Sequence, residues 1–255
     1  FHDMDWLTSH IQNGEDVQIR SLTNHMTILV LAGPKSRDVL SAACRGDWSA
    51  DGFPWLSVRD AYVGTAPATI MAVSFSGEVA YEIHVPNAYL VSAYKTLRSA
   101  GEAHGLQLFG SRAVESMRIE KGYLHWKSDI LTEFDPFETG LDRFVALDKP
   151  DFVGKSALTE RQSAGARKKL VTLQLNCGDR SAHPGASVMR ADEVVGTVTS
   201  GDWGHRTQKN LALAFVEVAQ GEVGNILTVD VLGHLVSAEI IPSSPYDPNN
   251  NRVRI

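Results

Sequence analysis

Five consecutive residues, Tyr81-Glu82-Ile83-His84-Val85, set a carboxylate and an imidazole two positions apart in a stretch that reads as a strand. Side chains alternate across a strand, so Tyr81, Ile83 and Val85 share one face and Glu82 and His84 share the other. On a solvated face Glu82 is an ordinary exposed carboxylate. On a covered face it needs a partner, because an unpaired buried charge is costly. A carboxylate held on a sheet can accept two parallel N–H bonds from a guanidine-like edge, such as that of an amino-pyrimidinone ring. Arg118 is a second candidate. With Glu115 three residues before it, it can form a helix-surface pair of about a few tenths of a kcal/mol, or it can hold a carboxylate or phosphate. Trp126 and Trp203 are either core residues or flat walls for a planar ring. Trp203 lies in Thr199-Ser200-Gly201-Asp202-Trp203-Gly204-His205, where glycines flank the aromatic and suit a loop that approaches a ligand or another domain.

The elements that must position these residues follow from pattern. Residues 1–12 predict a helix with Met4, Leu7 and Ile11 on one face, stopped by Asn13-Gly14. Val17 to Leu22 alternates as a strand. Thr27 to Ala32 is a continuous apolar run, as for a strand buried on both faces. Gly33-Pro34 then opens a helix whose buried face is Val39, Leu40 and Ala43. Ser57 to Val63 and Pro67 to Phe75 read as a hairpin across Gly64-Thr65-Ala66. Val79 to Val85 follows, then a helix from Pro86-Asn87 with a stripe through Leu90, Ala93, Tyr94 and Leu97. This order predicts an α+β layer with helices on one face of an antiparallel or mixed sheet.

The next stretch, Glu115 to Ile130, reads as a helix end with Val114 and Met117 on one face, a stop at Gly122, and a polar-aromatic loop beyond it. Such loops carry sites on rigid scaffolds, although a plain helix cap and surface coil has the same composition. Asp151 to Leu158 feeds a short helix, and residues 162–168 make a plausible domain junction. After residue 168 the pattern becomes strand-rich: Leu170–Leu175, Ser187–Arg190, Val194–Thr199, Asn210–Val216, Ile226–Val231 and Val236–Ile241. Strands at that spacing predict a small barrel or sandwich. Pro242 to Asn251 reads as a tail over the surface.

Several chemistries lack their signatures. There is no Gly-x-Gly-x-x-Gly, no complete phosphate loop around Gly154-Lys155-Ser156, and no Gly-x-Ser-x-Gly. The histidines show no metal-ligand spacing. Cys177 and His183 make a weak dyad next to the simpler reading of Cys177 as a free thiol. Cys44 and Cys177 are the only cysteines, which leaves no disulfide framework and fits a reducing compartment. The net charge of -6 argues against nucleic acid as the main partner. No apolar run has the length of a membrane span, and no secretory signal is visible.

The segments Leu31-Ala32-Gly33-Pro34-Lys35-Ser36-Arg37, Ser76-Gly77-Glu78…Tyr81-Glu82-Ile83, Arg118-Ile119-Glu120-Lys121-Gly122, Asp129…Pro136-x-Glu138-x-Gly140-Leu141 and Gly196-x-Val198-Thr199-Ser200-Gly201 occur in that order. Together they resemble the folate-binding aminomethyltransferase family, which includes the glycine cleavage T-protein. His2-Asp3-Met4-Asp5-Trp6-Leu7, Glu120-Lys121-Gly122-Tyr123 and Leu147-Asp148-Lys149-x-x-Phe152-Val153-Gly154 are most similar to its branch of dimethylglycine and sarcosine dehydrogenase C-terminal parts. The resemblance runs along essentially the whole chain.

The resemblance implies an α+β fold: a folate-binding α/β core with a ferredoxin-like layer over 1–165, and a small C-terminal β-barrel over 166–255. It implies tetrahydrofolate as cofactor and a one-carbon (aminomethyl or methyl) transfer from an N-methylated amine or a glycine-derived donor. The alternatives it leaves are a non-catalytic folate-binding scaffold or sensor, and a folate-dependent O- or S-demethylase. Glu82 matches the family's pterin-binding Glu, with Tyr81 beside it. Arg118 matches a folate-contacting Arg, and Trp126 stands where the T-protein has Tyr. Trp203 is expected to line the cleft. Phe75 replaces the Tyr of the T-protein's Tyr-Thr-Gly-Glu, so that hydroxyl is gone.

The family's catalytic Asp matches no acid of this chain. Asp3 and Asp5 lie in the wrong segment, so the residue is expected upstream of Phe1, in a chain that opens on Phe1 within a helical pattern. FAD is expected only with an upstream domain, as a fused or partner flavin dehydrogenase. The other partner expected is the small-molecule methyl or aminomethyl donor, with no nucleic acid and no membrane. The implied location is cytoplasmic, or the mitochondrial matrix in a eukaryote.

Overall fold

The computed structural model describes residues 2–178 and 180–255. Phe1, the first residue of the expected N-terminal helix, lies outside them. The chain divides into two compact units. The first holds residues 1–74, 78–107 and 253–255, and the second holds 75–77 and 108–252.

The first unit begins with α1 (His2–Ser9), which buries none of its residues. The strand expected over Val17–Leu22 does not form. Val17 and Leu22 are about half exposed, and their alternation finds no partner strand. A four-stranded antiparallel sheet follows, in the order β1 (Met26–Ala32), β4 (Ala80–Pro86), β3 (Ala66–Met71), β2 (Val58–Val63). The run Thr27–Ala32 is therefore an edge strand and not one buried on both faces: Ile28 and Val30 stay 48% and 55% exposed. The hairpin β2–β3 turns at Gly64-Thr65. Its second strand stops at Met71, short of the expected Phe75: the Ala72 amide donates to the Ser57 carbonyl and the Ala72 carbonyl accepts from the Leu56 amide, so two residues oppose one and this bulge, with Leu56 at φ 69°, ends the regular ladder.

Helices α2 (Ser36–Ala43) and α3 (Leu90–Glu102) cover one face of the sheet. The core beneath them holds Val39, Leu40, Trp48, Phe53, Ile70, Tyr81, Ile83, Ala93 and Leu97. Each fully buried large apolar side chain there contributes roughly 1.5–3 kcal/mol. Among the described residues no helix of this unit covers the opposite face of the sheet, and the alternation of β4 (buried Tyr81, Ile83 and Val85, half-buried Glu82 and His84) follows from that asymmetry.

The second unit begins with α4 (Ser111–Lys121), closed by Gly122 in the left-handed conformation at φ 71°. α5 (Pro136–Thr139) starts on a full capping box: Asp135 accepts from the Phe137 and Glu138 amides while Glu138 reaches back to the Asp135 amide. α6 (Lys155–Ala164) precedes a closed six-stranded barrel in the order β10-β5-β8-β7-β6-β9. Its strands are β5 (Lys168–Leu175), β6 (Ser187–Arg190), β7 (Glu193–Gly204), β8 (Lys209–Glu217), β9 (Ile226–Val231) and β10 (His234–Ile241). β7 runs beyond the expected Thr199 to Gly204, since a register shift between Val198 and Ser200 lets it keep pairing with β8. The barrel interior is apolar, with Val171, Leu173, Leu175, Ala212, Ala214, Val216, Leu227 and Val229 packed together. A smaller cluster of Ile119, Leu211, Leu213 and Ile241 ties α4 to the outside of the barrel.

Candidate functional site

In the first unit the chemistry lies on the open face of the sheet. Glu82 stands opposite Val30 of β1 and Met71 of β3, and Met71 in turn stands opposite Val58. The carboxylate thus sits in a row of apolar side chains. The next row reads Ile28, His84, Thr69, Asp60. His84 Nε2 lies 3.2 Å from Glu82 Oε2, with the two side chains 26% and 36% exposed. The Thr69 hydroxyl donates to Asp60 at 2.6 Å. A half-exposed carboxylate that leans on an imidazole, between apolar neighbours, can receive N–H donors from a flat ring laid over the sheet.

Tyr81 takes the other face. It is fully buried, stacked at 6.0 Å on Phe53, with the Arg37 guanidinium 5.8 Å from its ring centroid. Burial pushes its phenol above the ordinary value, with Arg37 pulling the other way. Its position supports the strand that presents Glu82 and is not on Glu82's own face.

In the second unit the charged residues at the end of α4 are buried and each is engaged. The Arg118 side chain is 3% exposed. Its Nε donates to Glu115 at 2.8 Å, and its Nη1 to Asp129 at 2.6 Å and to the Tyr123 carbonyl at 3.3 Å. Asp129, fully buried, also accepts from the Thr199 and Ser200 hydroxyls, both at 2.5 Å, and from the His125 amide at 2.8 Å. Glu120 accepts from the Arg206 and Thr207 amides, both at 2.7 Å, and from Arg206 Nε at 2.6 Å. Lys121 reaches the carbonyl of Asp247 and lies 3.5 Å from its carboxylate. One helix end therefore fastens the following loop, the β7–β8 turn and the C-terminal tail.

The loop after Gly122 is drawn tight by these bonds. Trp126 is 61% exposed and bridges to Ile130. Phe75 stacks on Tyr123 with centroids 6.2 Å apart and tilts toward His125 at 6.5 Å. Burial, and after it the Asp247 carboxylate, push the Tyr123 phenol up. Trp203 is half-buried, and its carbonyl accepts the Ser116 hydroxyl at 2.6 Å. Arg118 and Trp203 are thereby tied to the same helix, α4, while Trp126 stands on the loop beyond it.

Sequence reasoning missed Asp129, Glu120 and Asp247 as anchors. Their signal is the density of charge in Arg118-Ile119-Glu120-Lys121 on a helix that also packs on a barrel, where buried charges must find partners. Among the described residues no group of His, Cys, Asp and Glu could hold a metal ion, and no helix is long and apolar enough to cross a membrane.

Residues 1–149 match the model of the GCVT N-terminal domain, and residues 168–247 that of the glycine cleavage T-protein C-terminal barrel domain. The chain is 34% identical to the human mitochondrial dimethylglycine dehydrogenase, over 99% of this chain and 30% of that protein. It is 30% identical to human mitochondrial sarcosine dehydrogenase, over 99% and 28% respectively. An aminomethyltransferase of Caldanaerobacter subterraneus is 27% identical over 91% of this chain and 62% of that protein. This chain thus spans under a third of the dehydrogenases and under two thirds of that aminomethyltransferase. The crystal structure of the glycine cleavage system aminomethyltransferase T from Bartonella henselae shares the fold, with a TM-score of 0.52 at 16% identity over 88% of this chain and 85% of that one. With a family model over its first 149 residues and a second over its barrel, the chain belongs to the GCVT family and carries that family's C-terminal barrel domain.

Proposed function

We propose that this chain supplies the folate-binding part of a tetrahydrofolate-dependent one-carbon transferase that acts on an N-methylated amine or a glycine-derived aminomethyl donor. The observation that carries the reading is Glu82: a half-exposed carboxylate on an open sheet face, set between Val30 and Met71 and braced by His84. That surroundings-and-charge combination fits the N–H edge and flat body of a pterin. Bound tetrahydrofolate would supply a nitrogen that accepts the carbon. The chain's own residues bind and orient. Glu82 takes the ring's N–H donors. Trp126 and Trp203 offer aromatic walls in the second unit. Arg118, with its guanidinium spent on Glu115 and Asp129, serves by holding the loop that carries Trp126. No catalytic acid is assigned within this chain. The names of the dehydrogenase relatives point to dimethylglycine or sarcosine as donors, and to a dehydrogenase as the fused or separate partner; the mitochondrial setting of those relatives suggests the same compartment if the source is eukaryotic.

The test is calorimetric titration of the chain with tetrahydrofolate. Losing one charge-assisted hydrogen-bonding group costs about 1.5–3 kcal/mol, so Glu82→Gln should weaken binding by roughly tenfold to a hundredfold. Equal affinity in the Glu82→Gln variant, with the fold intact by circular dichroism, removes the basis of the reading.

A further inference from the structure

The second unit holds a cleft of about 480 Å³ between the Trp126 loop and the outside of the barrel, within the size range of small-molecule sites. Its wall is the stacked pair Phe134 and Phe215, with ring centroids 3.6 Å apart and planes 15° from parallel. Phe215 is buried, so Phe134 presents the aromatic surface to the cleft. Two lysines, Lys127 and Lys168, are among its lining residues, with Thr197 and, as the one acidic residue, Glu133. Neither lysine forms an ion pair among the described residues, and the fixed acceptor near Lys168 Nζ is the Val195 carbonyl at 3.5 Å.

Lys127 carries a second, independent signal. Its φ is +67°, in the left-handed region that disfavours a long side chain. The loop enforces this. The Lys127 amide donates to the Ile130 carbonyl at 3.2 Å, and two residues on, Asp129 is fixed by its bonds to Arg118, His125, Thr199 and Ser200. Glycine would sit there without strain, yet this position on the cleft's wall carries a lysine. A strained backbone held by an over-determined surrounding points to a local role.

We propose that this cleft binds a small flat carboxylate, with its ring or planar body against Phe134 and its charge shared by Lys127 and Lys168. The proposal stands apart from the folate reading, which rests on Glu82.

The test is a ligand-observed NMR titration of the whole chain with benzoate, and with benzyl alcohol as the neutral counterpart. Benzoate is expected to bind at least about tenfold more tightly than benzyl alcohol. Lys127→Met and Lys168→Met should each weaken benzoate about tenfold and leave benzyl alcohol unchanged, while Lys127→Arg retains binding. Lys127→Gly separates a ligand role from a structural one: it should weaken benzoate by a similar factor while the thermal midpoint stays level or rises, because the strain is relieved. Equal affinity for the acid and the alcohol, or benzoate binding that survives both methionine substitutions, overturns the proposal.

Discussion

Asp129 shows how one residue can be central to a site without touching a ligand. Its carboxylate is fully buried and takes hydrogen bonds from Arg118, Thr199, Ser200 and the His125 amide. Removing one partner of a buried ion pair leaves the other charge uncompensated, at a cost of about 3–5 kcal/mol. Asp129→Asn should therefore lower unfolding free energy by about that much in urea titrations. Arg118→Met in the same background should cost much less than it does alone, since the charge it deletes is already stranded. A urea midpoint equal to that of the parent chain would show the pair to be dispensable. Cys44 gives a residue-scale contrast. Burial pushes its thiol up to about 11, and with 5% of its surface exposed it offers almost no thiolate at pH 8. Ellman's reagent should thus titrate one fast thiol per chain, the partly exposed Cys177, and a second fast equivalent would contradict the buried placement of Cys44.

At the scale of elements, the end of α4 decides most of the second unit's local geometry. Gly122 stops the helix at φ 71°, and a Cβ there would stand 1.9 Å from the Ser243 carbonyl oxygen. Gly140 has almost the same φ, 72°, with nothing within 4 Å of such a Cβ. The pair separates backbone strain from close packing. Gly140→Ala should cost about 1 kcal/mol from strain alone. Gly122→Ala must also displace the C-terminal tail and should cost about 2 kcal/mol or more. Equal losses in the two variants, by urea titration, would mean that the tail moves freely away from α4. The stop at Gly122 was legible in sequence because φ > 0 after a charged, amphipathic helix is a local requirement. So were Ser187–Arg190 and Ile226–Val231, which form over the expected residues, and the alternation that turns Glu82 away from Tyr81. What the sequence did not reveal depends on closure at a distance. The pairings of Lys121 with Asp247 and of Glu120 with Arg206 need the tail and the β7–β8 turn to come back onto α4. The apolar run Thr27–Ala32 looks the same whether one face or two are covered. Val17–Leu22 alternates well, but alternation makes a strand only where a neighbour supplies hydrogen bonds.

Across the whole molecule, the distribution of burial sets an order of local stability. Each unit has its own core: one between α2, α3 and the four-stranded sheet, the other inside the barrel. The barrel has no free edge, because β10 pairs with both β5 and β9 and closes the ring. β8 is its best protected strand, with Asn210 through Val216 all buried. By contrast α1 buries nothing, Trp6 and Leu7 are each 47% exposed, and residues 11–25 add no strand. A helix of eight residues is marginal in water without packing. Native-state hydrogen exchange reports this directly, since amides open locally at the free energy of their own surroundings. The amides of β5 and β8 should exchange last, at rates set by unfolding of the barrel. Those of His2–His25 should exchange at close to unprotected rates, hundreds of times faster or more by the order-of-magnitude span of local opening free energies. Slow exchange through His2–Ser9, comparable to β8, would mean that the Trp6 and Leu7 side of α1 is covered in solution, and that the stability of this segment comes from a contact outside the two cores.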